Sequence, residues 1–168
     1  QQGTFVNVKT LNVSKALLKK YNLEKALSHI AKEIKIKNQD NLLNSLSLKR
    51  SIFEEIGESA DIIKLSSQIL ESFPNNERAL YSRALAYEKE GNILSMSKDF
   101  DEMIKLNEYN SIALNAYGYS LALHKLHLDK SEKLIRKALD IRPGQAAILD
   151  SLAWVLYLKG SYKEAEKY

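Results

Sequence analysis

The sequence predicts an all-α fold, a solenoid of about five stacked helical hairpins, and three observations carry that prediction. Turn-formers are scarce, with six glycines and two prolines in 168 residues, far too few for a barrel or sandwich of many short strands. Glycines recur at a fixed interval: Gly57 and Gly91 are 34 residues apart, and Gly91 and Gly160 are 69 apart, which is 34 plus 35. Pro74 and Pro143 are also 69 apart, and the segments around them, ILESFPNNERAL and ALDIRPGQAAIL, align apolar on apolar at both ends.

Within each period the apolar spacing is helical. Leu80, Ala84 and Tyr87 correspond to Leu114, Gly118 and Leu121, and again to Leu149, Ala153 and Leu156, with steps of four and then three. Each unit therefore reads as a first helix, a turn at Gly57, Gly91 or Gly160, a second helix, and a loop marked by Pro74 or Pro143. Glycine supplies the left-handed residue that ends the first helix, and proline, lacking an amide donor, stops the second. Ser161 and Glu164 have capping-box spacing at the start of the last helix. The hairpins are expected at 7–42, 43–76, 77–110, 111–145 and 146–168, all in one domain. The fourth carries one extra residue around His124 to Leu128, and the fifth stops within its second helix.

Composition narrows the chemistry. At 45% hydrophobic and 27% charged residues, the chain holds enough apolar material for a sizeable core and is no disordered tail. Without cysteine there is no disulfide, no thiolate nucleophile and no Cys-ligated metal. No run of 18 or more apolar residues offers a membrane span, and no basic-then-apolar leader opens the chain. Starting at Gln1 rather than Met is expected of a fragment or a processed chain.

The net charge of +4 is local: residues 1–42 hold eight lysines against Glu24, Glu33 and Asp40, so the rest sums to −1. Those lysines suit a solvated face better than a nucleic-acid surface, because no aromatic platform beyond Tyr21 interleaves them. His124 and His127, three apart with Asp129 nearby, do not complete a metal-ligand set. His29 stands alone on an amphipathic stretch. No phosphate loop or serine elbow is present, and the carboxylate pairs Glu54 with Glu55 and Asp99 with Asp101 are expected on polar helical surface. The sequon Asn12-Val-Ser14 matters only in a eukaryotic secretory pathway. Catalytic residues, metal ligands and cofactors are therefore all expected to be absent.

These residues resemble the tetratricopeptide repeat family (TPR). The last unit supplies Leu149, Leu152, Ala153, Leu156, Gly160, Tyr162 and Ala165 at successive family positions. Unit 77–110 supplies Leu80, Ala84, Tyr87, Gly91 and Phe100, departing at Met96, Met103 and Glu108, where small residues and proline are usual. Unit 111–145 supplies Leu114, Gly118, Ser131, Ala138 and Pro143. In the first unit only Ala26 matches clearly, so 1–42 reads as a divergent or capping hairpin. More narrowly, Asn115 to Tyr168 resembles repeats of envelope lipoproteins of Gram-negative bacteria, adaptors that hold periplasmic proteases or cell-wall enzymes. That implies a bacterial periplasmic or envelope location, with the cytoplasm as the alternative.

The resemblance implies a right-handed α-solenoid whose first helices line a concave groove. Its groove-facing positions fall on Arg78, Tyr81, Leu85 and Glu88; on Ile112, Asn115, Tyr119 and Ala122; and on Ala147, Asp150, Trp154 and Tyr157. The residues expected to grip a partner are Arg78, Tyr81, Leu85, Asn115, Tyr119, Asp150, Trp154 and Tyr157. Aromatic side chains offer large contact area at low entropic cost, asparagine can bond a peptide backbone, and Arg78 or Asp150 can select charge. Aromatics at helical spacing equally suit a core, so the groove requires Tyr119 and Trp154 to be accessible. The clamp of paired lysines and asparagines with which some family members hold a terminal carboxylate is absent, the corresponding early positions being Ser47, Ser51 and Ser82.

The resulting expectation is a non-catalytic scaffold binding a peptide or helix of a partner. Two alternatives are self-assembly through the apolar surface of Tyr162, Ala165 and Tyr168, and a regulatory repeat region of a larger enzyme-containing protein.

Overall fold

The computed structural model describes residues 2–36 and 38–168, with side chains from Val8 onward. Lys37, one of the eight N-terminal lysines, and Gln1 lie outside the described residues. The described residues form ten α-helices and no strand. None of these helices is long and apolar enough to cross a membrane. The chain divides into two compact units, Gln1–Asn92 and Ile93–Tyr168.

The first unit holds α1 (Gln2–Lys20), α2 (Leu23–Glu33), α3 (Gln39–Ile56), α4 (Ser59–Ser72) and α5 (Glu77–Lys89). Here α1 packs on α2, both reach α3, α3 packs on α4 and α4 on α5. Apolar side chains at helical spacing meet in a core of Ala26, Ile30, Ile34, Leu48 and Ile52, with Leu11, Leu18, Leu23 and Leu27 at its margin. The one clear family match in the first hairpin, Ala26, is fully buried there.

Asparagines start three of these helices. Asn22, Asn38 and Asn76 each accept a bond of 2.9 Å from the backbone N–H three residues on, satisfying a donor that the first helical turn leaves free. At the end of α3, Gly57 is left-handed at φ 76°, and the amides of Gly57 and Glu58 both reach the Phe53 carbonyl.

The second unit holds α6 (Ile93–Leu106), α7 (Ser111–Leu123), α8 (Leu128–Ile141), α9 (Ala146–Leu158) and α10 (Tyr162–Ala165). Helix α7 is central, contacting α6, α8 and α9. It is apolar almost all round, and Leu114, Tyr117 and Leu121 are buried. Phe100 on α6 stacks on Tyr117 with ring centroids 5.3 Å apart. The core continues through Ile135, Ala138, Ile148, Leu152, Val155 and Leu156. Met96 and Met103, at positions where the family has small residues, are buried.

Gly118 lets α7 and α8 approach closely. A Cβ there would lie 2.6 Å from Ile135 Cγ1 and 2.8 Å from the Ser131 carbonyl oxygen, which belongs to the backbone and has little freedom to move. Ser131 Oγ uses the same closeness to donate a 2.6 Å bond to the Gly118 carbonyl.

Two local expectations are corrected, at Ser161 and at Asp99. Ser161 makes no capping bond from its side chain, and Glu164 accepts instead from Arg136 at 2.7 Å. An accessible guanidinium binds that carboxylate more strongly than a backbone amide, so the ion pair wins. Asp99 is buried rather than on polar surface, because its turn of α6 faces the unit's interior. The extra residue of the fourth unit lies where Lys125 and His127 both adopt positive φ, at 54° and 47°. Lys125 fills the turn position that Gly91 and Gly160 occupy elsewhere, and Leu126 N–H closes that turn on the Leu121 carbonyl at 2.9 Å.

Candidate partner-binding site

In the first unit, α5 presents Arg78 and Leu85 exposed and Tyr81 half-buried. All three line one cavity of about 630 Å³, together with Leu11 from α1, Arg50, Ser51 and Glu54 from α3, and Lys89. A smaller recess of about 370 Å³ shares Leu11, Arg50, Ser51 and Arg78 and adds Asn44 and Ser47. Burial holds the Tyr81 phenol above its ordinary pKa. Hydroxyls line the same walls: Ser51 donates to the Ser47 carbonyl at 3.1 Å, and Ser82 to Glu54 at 2.6 Å. Lys89 donates to the Gly57 carbonyl at 2.6 Å.

Arg50 was not among the expected site residues. It stands 34 residues before Ala84, 68 before Gly118 and 103 before Ala153, in the helix position that the other units give to a small residue. A large cation in a small-residue register was the available signal. Its guanidinium is buried, with Nε 3.2 Å from Glu54. Desolvation lowers its pKa, Glu54 opposes that, and the nearby Arg78 charge adds to the lowering.

In the second unit, Tyr119 on α7 is 40% exposed and Trp154 on α9 is 39% exposed. Neither ring is sealed in the core. Asp150, Trp154 and Tyr157 are brought together, lining a cavity of about 620 Å³ with Tyr162, Ala165 and Glu166. The rings form a continuous aromatic wall. Trp154 stacks on Tyr157 at 5.8 Å, and Tyr157 meets Tyr162 edge-on at 5.4 Å.

Asn115 and Tyr119 do not line that cavity and form a separate part of the surface on α7. Asn115 is half-buried, and its Oδ1 has no hydrogen-bond partner among the described residues. A buried acceptor without a donor carries a desolvation cost that an incoming N–H would remove. Ile112 and Ala147 are exposed, as the groove register implies. Ala122 is fully buried in the core with Leu114, Ile135 and Leu152, and offers a partner nothing. Helix α7 is covered on more than one side, so its last turn has no open face at that residue.

Opposite charges on α8 and at the end of α9 meet in this unit. Lys159 bridges Asp129 and, at 2.7 Å, Glu132, which also accepts from Arg136 at 2.7 Å. Hydrogen bonds from Lys159 hold both carboxyls below their ordinary pKa. No group of three or more His, Asp or Glu among the described residues is placed to hold a metal ion.

No family model matches the chain. Over 99 residues, 59% of its length, it is 36% identical to a TPR repeat-containing protein of Pseudomonas aeruginosa, and spans 17% of that relative. Among solved structures, MamA of Desulfovibrio magneticus RS-1 is similar with TM-score 0.75 and 17% identity, over 96% of this chain and 90% of that one. A tetratricopeptide repeat protein from Parabacteroides merdae is similar with TM-score 0.75 and 20% identity, over 96% of this chain and 62% of that one. The first TPR of Spaghetti, bound to an HSP90 peptide, gives TM-score 0.66 and 17% identity over 75% of this chain and 99% of that one. The 34-residue period, the helix order and these likenesses support one assignment: the chain has the all-α solenoid fold of the tetratricopeptide repeat proteins.

Proposed function

We propose that the chain is a non-catalytic protein-interaction scaffold that binds a peptide or helix of a partner through Arg78, Tyr81 and Leu85 in its first unit and Asn115, Tyr119, Asp150, Trp154 and Tyr157 in its second. One observation carries this reading. Tyr119 and Trp154 keep about two-fifths of their surface in water although α7 and α9 are otherwise among the most buried helices of their unit. Apolar contact area left outside a well-formed core is what a hot spot of binding uses. The unpartnered Asn115 oxygen adds a site for a backbone N–H, and a TPR structure of this fold holds a bound peptide. Service as an adaptor for an envelope protease or cell-wall enzyme is the finer form of the proposal and rests on the lipoprotein resemblance of residues 115–168.

A photo-crosslinking amino acid placed at Tyr119 in cells tests it, with the same group at exposed Lys98 on α6 as control. Adducts to a defined protein at position 119 alone are expected, and their loss on Trp154→Ala. Equal labelling from both positions, or none from 119, refutes the reading.

Self-assembly is a second reading, favoured by the exposure of Tyr162 and Tyr168 beside half-buried Ala165. Sedimentation velocity across a hundredfold concentration range should show an association that Tyr162→Ser abolishes; a single unchanging species argues against it.

A further inference from the structure

The unit Gln1–Asn92 contains a buried cation whose hydrogen-bonding capacity is unused. The Arg50 side chain is 5% exposed, and its Nη1 has no hydrogen-bond partner among the described residues. Glu54 lies beside Nε at 3.2 Å, but that carboxylate also accepts from Ser82, so it serves only one edge of the guanidinium. A guanidinium presents five donors in a planar fork, and buried charges in folded proteins are normally paired along it.

The surroundings are cationic. Arg50 lines both the 630 Å³ cavity and the adjoining 370 Å³ recess, and Arg78 lines both with it. Lys89 adds a third positive charge to the larger cavity, whose only carboxylate is Glu54. Ser51, Ser59, Tyr81 and Ser82 add hydroxyl groups to the lining. Two arginines lining the same two cavities, one of them buried with an unused donor, leave a site with room for a small ligand that suits a negative group. In the other repeats the position of Arg50 holds Ala84, Gly118 and Ala153, so helix packing does not require a long side chain there.

We infer that Arg50 and Arg78 form an oxyanion-binding site that accepts a carboxylate or phosphoryl group of a ligand in the cavity between α3 and α5. The charge comes from a different register than the missing clamp, whose early positions are the neutral Ser47, Ser51 and Ser82. A bound oxyanion would take the free Nη1 donor of Arg50 and neutralise Arg78. The inference deepens the scaffold reading by naming what the first unit recognises, and rests on it only in requiring that this face be open.

The test follows the Arg50 Nε–Hε signal in nitrogen–proton NMR spectra of the whole chain during titration with sodium phosphate and, separately, sodium acetate. Sodium chloride at matched ionic strength is the control. A saturable shift with phosphate, acetate or both, absent in chloride, is expected; the arm that responds identifies the ligand's anion. Arg78→Gln should weaken the response about tenfold. Because Arg50 is buried, Arg50→Met is tested by thermal unfolding: phosphate or acetate should raise the Tm of the parent chain and of Arg50→Lys, and not that of Arg50→Met. A shift of equal size in chloride marks an adventitious ion only and overturns the inference, as does an affinity unchanged by Arg78→Gln. Crosslinking from Tyr119 lies in the other unit, so the scaffold reading stands or falls separately.

Discussion

The two units differ in the polarity they leave buried: a charged guanidinium in one, a neutral amide oxygen in the other. In Ile93–Tyr168 two buried serines are answered, Ser131 donating to the Gly118 carbonyl at 2.6 Å and Ser151 to Ala147 at 2.7 Å, and the unpartnered buried atom is the neutral Asn115 Oδ1. In Gln1–Asn92 the hydroxyls of Ser14 and Ser66 and the Nη1 of Arg50 are buried with no hydrogen-bond partner among the described residues. The second unit instead fills its interior with Phe100, Tyr117, Leu152 and Leu156 and leaves its aromatic surplus at the surface. An interior packed with large apolar side chains suits a rigid platform for apolar contacts. An interior holding an unanswered cation suits a site completed by its ligand.

The strongest way to break the contrast is to empty the second core. Phe100→Ala should cost about 3–5 kcal/mol, since it deletes a fully buried ring stacked on Tyr117. Urea unfolding followed by the emission of Trp154, the only tryptophan, reads that loss from within the affected unit. A cost below about 1 kcal/mol would mean that the site collapses freely and the packing is loose.

Gly118→Ala comes next, at about 1–3 kcal/mol, because its new methyl meets the Ser131 backbone rather than a mobile side chain. The same substitution at an exposed glycine with nothing near its Cβ, such as Gly160, tests backbone strain alone at φ 78°, and about 1 kcal/mol is expected there. Equal losses at the two glycines would deny the close approach of α7 and α8.

Exchanging Arg50 for methionine sharpens the contrast from the other side. Removing a buried charge with an unused donor should leave the chain as stable or raise stability by about 1 kcal/mol. Ser131→Ala in the second unit should instead lose about 1 kcal/mol with its hydrogen bond. Denaturation midpoints of the two variants should therefore move in different directions, and a matched loss in both would erase the distinction.

The smallest effect concerns pH. Hydrogen bonds from Lys159 and Arg136 depress the Glu132 carboxyl in the folded state. Its contribution is therefore complete above the unfolded carboxylate pKa of about 4.3 and disappears as pH falls through the lower folded value. The stability difference between parent and Glu132→Gln should shrink between pH 6 and pH 3. A constant difference across that window would place the benefit in packing instead of charge.

Much of this was written in local pattern. Three glycines, Gly57, Gly91 and Gly160, one and then two repeat lengths apart, mark left-handed turns, and the 4-3 apolar spacing marks the buried faces, because both depend only on neighbours a few residues away. The asparagine caps were equally legible, with Asn76 and Asn110 one period apart, each bonding the amide three residues on. Lys125 was hidden because the left-handed turn it fills is ordinarily marked by glycine. The capping box of Ser161 and Glu164 misled because Arg136, 28 residues before Glu164, competes for the carboxylate. Among the groove positions the periodic register placed Ala122 wrongly, since register gives a face and not what covers it.

The sequence by itself determined helices, turns and repeat length, for these follow from backbone conformation and the periodicity of apolar residues within a single turn or hairpin. Only the tertiary structure decided at which small-register position packing requires a small residue and at which a long side chain fits beside a cavity. Gly118 and Arg50 occupy the same repeat position. One faces an approaching backbone that admits no side chain, and the other faces a cavity that leaves a guanidinium partly unanswered. That difference depends on atoms brought together from other helices, which no local pattern specifies.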